Sequence, residues 1–166
     1  KKELRTTTMK IIDAQFVRGI PHAAHLPSFK GIEVALIGRS NAGKSTLLNR
    51  LTQRTKLARV SKTPGRTLEI NLFDVTVELK GKRQVVRLVD LPGYGFAKVN
   101  KDKREEISEL LKGYLSSASR SRILLLILDS RRDPEEEELQ IQALIGELGV
   151  SLLIVATKAD KLNRAE

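Results

Sequence analysis

The segment Gly38-Arg39-Ser40-Asn41-Ala42-Gly43-Lys44-Ser45 constrains this chain more than any other. It fits G-x-x-x-x-G-K-[ST] at every fixed position. It also lies between a β-rich run, Ile32 to Ile37, and a helical pattern carried by Leu47, Leu48 and Leu51. Glycines let a backbone fold around phosphate, while successive amide N–H groups and a helix N-terminus supply positive field. In such a loop Lys44 reaches the β- and γ-phosphates and the Ser45 hydroxyl is placed to ligate Mg²⁺. Thr46 completes the expected nucleotide-binding segment.

The remainder of the chain matches the architecture that such a loop needs. Glu69 to Leu79 alternates apolar and polar residues, Lys80-Gly81-Lys82 supplies a turn, and Val85 to Val89 returns as a strand, which predicts a hairpin. Ile107, Leu110, Leu111 and Tyr114 have helical spacing within Asp102 to Leu115. Ile123 to Leu128 is an unbroken apolar run, as expected for a strand buried on both faces. Asp133-Pro134-Glu135 predicts a helix start with Asp133 as N-cap, and Leu139, Leu144 and Leu148 are its expected buried stripe, ended by Gly149. Leu152 to Ala156 is the last predicted strand.

Alternating strands and helices with one hairpin predict an α/β fold, a mostly parallel sheet with one antiparallel hairpin strand and helices on both faces. Residues 1–30 form an expected N-terminal extension, with an added strand over Ile11 to Val17, and residues 31–166 the expected phosphate-loop domain. Position 1 is Lys, and the chain stops at Glu166 soon after a motif that usually has structure behind it; the domain is therefore expected to be truncated at its C-terminal end.

Three further segments turn a phosphate loop into a nucleotide switch. Asp90-Leu91-Pro92-Gly93 follows a predicted strand, so Asp90 can hold Mg²⁺ through water while the Gly93 N–H senses the γ-phosphate. Thr63-Pro64-Gly65-Arg66-Thr67 lies in an irregular stretch; the Thr67 hydroxyl, preferred over Thr63, would complete the metal shell in the triphosphate state, with Gly65 and Arg66 beside the nucleotide. Thr157-Lys158-Ala159-Asp160 follows the last strand. The Asp160 carboxylate can accept hydrogen bonds from guanine N1–H and the 2-amino group, neither of which adenine offers, and the Lys158 stem can lie along the base. The ordered set of four segments predicts GTP and GDP as ligands.

Composition narrows the setting. Lys and Arg outnumber Asp and Glu by 30 to 20, and the net charge of +10 favours a polyanionic partner such as nucleic acid over a membrane surface. Aromatic residues are only 4%, so stacking of bases on a sheet face is not the expected mode. Zero cysteines exclude a disulfide framework and thiolate metal sites, and no apolar run approaches the ~20 residues of a membrane span. The first ten residues do not have the form of a signal peptide, and a cytoplasmic location is expected.

These residues also carry a resemblance. Arg39 to Ser45, Ser61 to Thr67, Val89-Asp90-Leu91-Pro92-Gly93-Tyr94-Gly95-Phe96-Ala97 and Thr157 to Lys161 resemble the EngB (YihA/YsxC) GTPases, as do Phe16-Val17, Leu26-Pro27 and Asp129-Ser130-Arg131. The resemblance implies a translation-factor-related P-loop GTPase fold and a role in assembly of the large ribosomal subunit. It also implies Asn41 as a contact for an activating K⁺, as in potassium-activated relatives; the alternative is that Asn41 only hydrogen-bonds within the loop.

Many switch GTPases have a glutamine directly after D-x-x-G to orient the attacking water, and here that residue is Tyr94. Intrinsic hydrolysis is therefore expected to be slow, with Lys44, Asn41, Thr67 and Gly93 as the catalytic set. Arg54, Lys56, Arg59, Lys62 and Arg66 lead into Thr67 and are the expected contacts to ribosomal RNA when GTP orders the segment; the alternative is a solvated basic loop. The alternatives are a GTPase that handles tRNA, and a GTP-dependent binding module with negligible hydrolysis acting in cell division.

Overall fold

The computed structural model describes residues 9–55, 57–58, 68–95, 101–117 and 121–162. Six strands form one sheet: β1 (Met9–Ile20), β2 (Ile32–Gly38), β3 (Ile70–Leu79), β4 (Lys82–Asp90), β5 (Arg122–Asp129) and β6 (Ser151–Thr157), in the spatial order β1-β3-β4-β2-β5-β6. Three helices accompany them: α1 (Lys44–Leu51), α2 (Lys101–Ser116) and α3 (Glu136–Glu147). Strand β3 alone runs against the other five, so its pairings with β1 and β4 are antiparallel, and β4–β2, β2–β5 and β5–β6 are parallel.

The hairpin closes through Lys80 and Gly81, both at positive φ (53° and 74°), which matches the two-residue turn whose twist suits the flanking strands. The added strand expected over Ile11 to Val17 is longer than its sequence pattern. It runs along β3 from Met9↔Leu79 to Ile20↔Ile70, with irregularities at Ile11/Asp13 and Phe16/Arg18 that break the simple alternation.

The central strand β2 has an almost continuous apolar sequence because both of its faces are covered. On one face Ala35 and Ile37 join Ile70, Leu72, Val89, Leu124 and Leu126 beneath α2, whose Ile107, Leu110, Leu111 and Tyr114 are buried, and beneath Ile145 of α3. On the other face Leu36 packs with Leu48 of α1, Phe73, Val75, Val77 and Leu88. Burying a side chain of this size contributes roughly 1.5–3 kcal/mol, so the two apolar layers are the main stabilising feature of the sheet.

A buried polar cluster lies near the start of β2, at the opposite end from Gly38. Arg122 Nε donates to Glu33 Oε1 at 2.8 Å, Tyr114 Oη donates to the same oxygen at 2.7 Å, and Arg122 Nη1 donates to the Tyr114 carbonyl at 2.7 Å. Burial and the neighbouring Glu33 carboxylate push the Tyr114 phenol well above its ordinary range.

The structure corrects the expected start and face of α3. Asp133 is not the N-cap. The helix begins at Glu136 with the extended Glu135 (φ −100°, ψ 177°) as N-cap, and the Glu138 carboxylate accepts the Glu135 N–H at 2.9 Å. The reciprocal capping box of Glu135 and Glu138 satisfies the free N–H groups of the first turn and sets the start there. The buried stripe differs too. Leu139 and Leu148 are exposed (55% and 39%), Ile145 is buried, and Ile141 and Leu144 pack partly against the core. Gly149 at φ 63° ends the helix as expected, with the Val150 N–H reaching back to the Ile145 carbonyl.

Candidate functional site

The carboxyl ends of β2, β4, β5 and β6 lie side by side, and the segments that follow them converge at one edge of the sheet. This is where open α/β sheets place their ligands. The phosphate loop leaves β2 at Gly38, where the approach to β5 is so close that an added Cβ would lie 2.5 Å from the Ile127 carbonyl oxygen. Only a residue without a side chain fits. Asn41 (φ 63°) and Gly43 (φ 105°) then reverse the chain into α1, with Gly43 as N-cap.

Lys44 opens α1 and folds back over the loop. Its Nζ donates to the Gly38 carbonyl at 2.9 Å and approaches the Arg39 carbonyl at 3.3 Å. Burial lowers its pKa, and the nearby Asp90 opposes that shift. The first N–H groups of α1, which follows the loop directly, have no intrahelical partner. Ser45 is half-buried there and Thr46 is exposed.

Asp90 is the last residue of β4. Its Oδ1 is buried and has no hydrogen-bond partner, and burial, partly offset by Lys44, pushes its carboxyl up to about 6. A buried acceptor left open beside a lysine and a helix N-terminus fits the water shell of a magnesium ion. Gly93 lies against the loop: an added Cβ would be 2.9 Å from Lys44 Nζ and 3.0 Å from Ser40 Cα. The Ser40 N–H donates to the Tyr94 carbonyl at 2.8 Å, and the pairing of β2 with β4 resumes as a single bridge between Arg39 and Tyr94.

Tyr94 turns inward. It is 6% exposed within the apolar core, and burial with the Glu138 carboxylate nearby raises its phenol pKa strongly. Arg39 forms an ion pair with Glu135 at 2.5 Å. Gly95 (φ 74°) makes room for the Arg39 stem, since a Cβ there would lie 2.5 to 2.9 Å from it.

The Thr157-Lys158-Ala159-Asp160 turn is tied to the same loop. Thr157 Oγ1 donates to the Ala42 carbonyl at 2.5 Å and to the Leu128 carbonyl at 3.0 Å. Lys158 Nζ donates to the Asn41 carbonyl at 2.6 Å. Asp160 lies in the short 3-10 turn Ala159–Lys161, largely exposed, and its carboxylate is 3.6 Å from Lys161 Nζ. It is therefore open to a base edge.

Of the expected site residues, Gly38 to Thr46, Asp90, Gly93, Thr157, Lys158 and Asp160 gather at this edge. Gly65, Arg66 and Thr67 lie outside the described residues, as do Lys56, Arg59 and Lys62 of the basic segment. Arg54 is described and pairs with Asp13 at 2.9 Å across the surface. Sequence reasoning assigned no role to Arg39–Glu135 or to Asp129, because both depend on contacts between distant segments. The signal available along the chain was the Asp129-Ser130-Arg131 segment itself, one of those that carry the family resemblance.

The sequence of residues 33–158 matches the family model described as 50S ribosome-binding GTPase. The chain is 41% identical over 157 residues to the probable GTP-binding protein EngB of Myxococcus xanthus, covering 95% of this chain and 76% of that protein. It is 45% identical over 159 residues to the protein of the same name from Francisella tularensis subsp. novicida, with 95% and 77% covered. The chain belongs to the EngB family of GTP-binding proteins.

Solved structures agree with that assignment. A crystal structure of a probable EngB protein superposes with a TM-score of 0.57 at 27% identity, covering 80% of this chain and 73% of that one. The G domain of the FeoB iron transporter of T. maritima gives 0.51 at 26%, covering 81% and 77%. The P-loop GTPase fold expected from the sequence is the fold observed, and family membership makes the chain a GTP-hydrolysing enzyme. Among the described residues no helix is long and apolar enough to cross a membrane.

Proposed function

We propose that this EngB-family chain is a slow GTP-hydrolysing switch that binds the nucleotide with Mg²⁺ and acts, in the cytoplasm, in assembly of the large ribosomal subunit. The observation that carries the nucleotide part is the convergence of two separate segments on one loop. Lys44 caps it, Gly93 abuts Lys44 and Ser40, and Lys158 reaches the Asn41 carbonyl at 2.6 Å. A phosphate held by the loop therefore has the D-x-x-G segment beside it and the base-reading turn within one nucleotide's reach.

In this reading Ser45, Thr67 and, through water, Asp90 would hold the metal. A bound magnesium ion would neutralise charge developing on the phosphates. Lys44 supplies the corresponding charge from the protein side. Gly93 presents its N–H where a γ-phosphate would lie, so its position reports whether that phosphate is present. Asp160 pairs with the two donors of guanine, and Lys158 covers the base.

Slow hydrolysis follows from Tyr94. The side chain after D-x-x-G is packed into the core, so it does not reach toward an attacking water. Stabilisation of the transition state would then have to come from a partner or an ion, and Asn41, exposed at the loop tip, is the candidate contact for K⁺. The ribosomal part rests on two supports: the family model is named for 50S ribosome binding, and the net charge of +10 suits a phosphate backbone.

Co-sedimentation with isolated ribosomal subunits tests the reading, with a non-hydrolysable GTP analogue, GDP and an ATP analogue compared across a salt series. Pelleting with the large subunit in the GTP-analogue state alone is the expected result. Equal pelleting in every nucleotide state would leave charge as the only driver and sink the switch. Turnover in K⁺ against Na⁺, with and without subunits, tests the slow-hydrolysis part.

A further inference from the structure

We infer that the Asp129-Ser130-Arg131 segment at the end of β5 is a clamp that positions the base-reading turn, with Asp129 acting on the nucleotide through Lys158. The inference rests on the nucleotide reading above and deepens it. Asp129 Oδ2 accepts Lys158 Nζ at 2.7 Å, and the same ammonium donates to the Asn41 carbonyl at 2.6 Å. The lysine is therefore held at both ends of a span from β5 to the phosphate loop. Next to it, the Ser130 N–H donates to the Thr157 carbonyl at 3.0 Å and the Ser130 hydroxyl donates to the same oxygen.

The turn needs such support. Lys158 has φ 58°, in the left-handed region that a residue with a side chain adopts only when its surroundings hold it there. Thr157 and Ser130 hold its backbone, and Asp129 fixes its side chain.

Charge makes Asp129 the central member. Arg131 Nε and Nη2 donate to Asp129 Oδ1 and Oδ2 at 2.9 and 2.7 Å. One carboxylate therefore lies between two cations. The two hydrogen bonds, from Arg131 first and Lys158 second, keep that carboxyl far below the usual range, so it is ionised at any working pH. Its side chain is 11% exposed, against 28% for Lys158 and 47% for Arg131. Removing the carboxylate would leave the neighbouring ammonium and guanidinium groups unscreened, with Lys158 held only by the Asn41 carbonyl.

A positioning role predicts a specific pattern in nucleotide binding. Fluorescent mant-GDP is titrated into wild type, D129A, K158M and D129A/K158M, with thermal melts confirming that each is folded. Lys158→Met keeps the stem that would cover the base and removes only the ammonium through which Asp129 acts. Loss of one charge-assisted contact is expected to weaken D129A by about tenfold. D129A in the K158M background should change the Kd by less than about twofold, because coupled residues are not additive.

Equal loss in both backgrounds would mean that Asp129 acts on the fold and not through Lys158, and would overturn the inference. An unchanged Kd in D129A would do the same. If D129A does not fold, D129N carries the same comparison with an expected loss of about threefold, since the shape and one acceptor remain. Failure of wild type to bind mant-GDP would instead remove the nucleotide reading itself, so the two failures are distinguishable.

Discussion

Replacing Asp90 by asparagine should stabilise the nucleotide-free protein while weakening its response to magnesium. Asp90 is buried with one carboxylate oxygen unpaired, and its carboxyl is pushed from about 3.8 up to about 6. A rise of about two pH units corresponds to about 3 kcal/mol of unfavourable charge burial, a value that already contains the attraction of Lys44. The sign follows from proton binding. Between pH 4 and 6 the folded protein holds this proton and the unfolded chain does not, so stability falls as pH rises through that window. The penalty is absent below about pH 4 and complete above about pH 6.

D90N carries no charge at any pH. In a chelating buffer without nucleotide it should exceed wild type in Tm by roughly 6–12 °C at pH 8, taking about 2–4 °C per kcal/mol for a domain of this size. At pH 4 the two should melt together. Added magnesium should tighten GDP binding to wild type more than to D90N. A D90N protein no more stable than wild type at pH 8, or a difference that persists at pH 4, would refute the account of a buried, unpaired carboxylate kept for a metal.

Other expectations test different parts of the molecule. Gly38→Ala places a Cβ 2.5 Å from the Ile127 carbonyl, so urea unfolding should show a loss of about 1–3 kcal/mol, accompanied by weaker mant-GDP binding because the loop must shift. Arg122→Ala leaves Glu33 buried without its cation and should cost about 3–5 kcal/mol in urea, while GDP affinity measured on the folded fraction stays the same, because that cluster lies at the far end of β2. Asp160→Ala removes two charge-assisted bonds to guanine and should weaken GDP by about 100-fold or more while leaving ADP unchanged; titration calorimetry with both nucleotides decides it.

Much of this protein was already determined along the chain. The phosphate loop, the hairpin turn at Lys80-Gly81 and the D-x-x-G and T-K-x-D segments are local chemistry: each depends on residues within one turn or one strand end. Glycine spacing, two-residue periodicity and strand-end placement therefore located these segments at the ends of their strands, along with the α/β class. The buried run of β5 and the helix carrying Ile107, Leu110, Leu111 and Tyr114 were legible for the same reason.

Only the tertiary structure decided the rest. Where α3 begins is set by the Glu135–Glu138 capping box, and Glu135 is paired with Arg39, a residue far off in sequence; which face it buries is set by the packing of Ile145, Ile141 and Leu144 on the core. That Asp90 lies buried and unpaired, and that Tyr94 is turned into the core, depend on desolvation and packing across strands that no spacing encodes. Asp129 illustrates the difference most clearly. Along the chain it is one acidic residue after an apolar run, and it becomes part of the base site only because the parallel pairing of β5 with β6 sets Asp129 opposite Thr157, which brings Lys158 within 2.7 Å of its carboxylate.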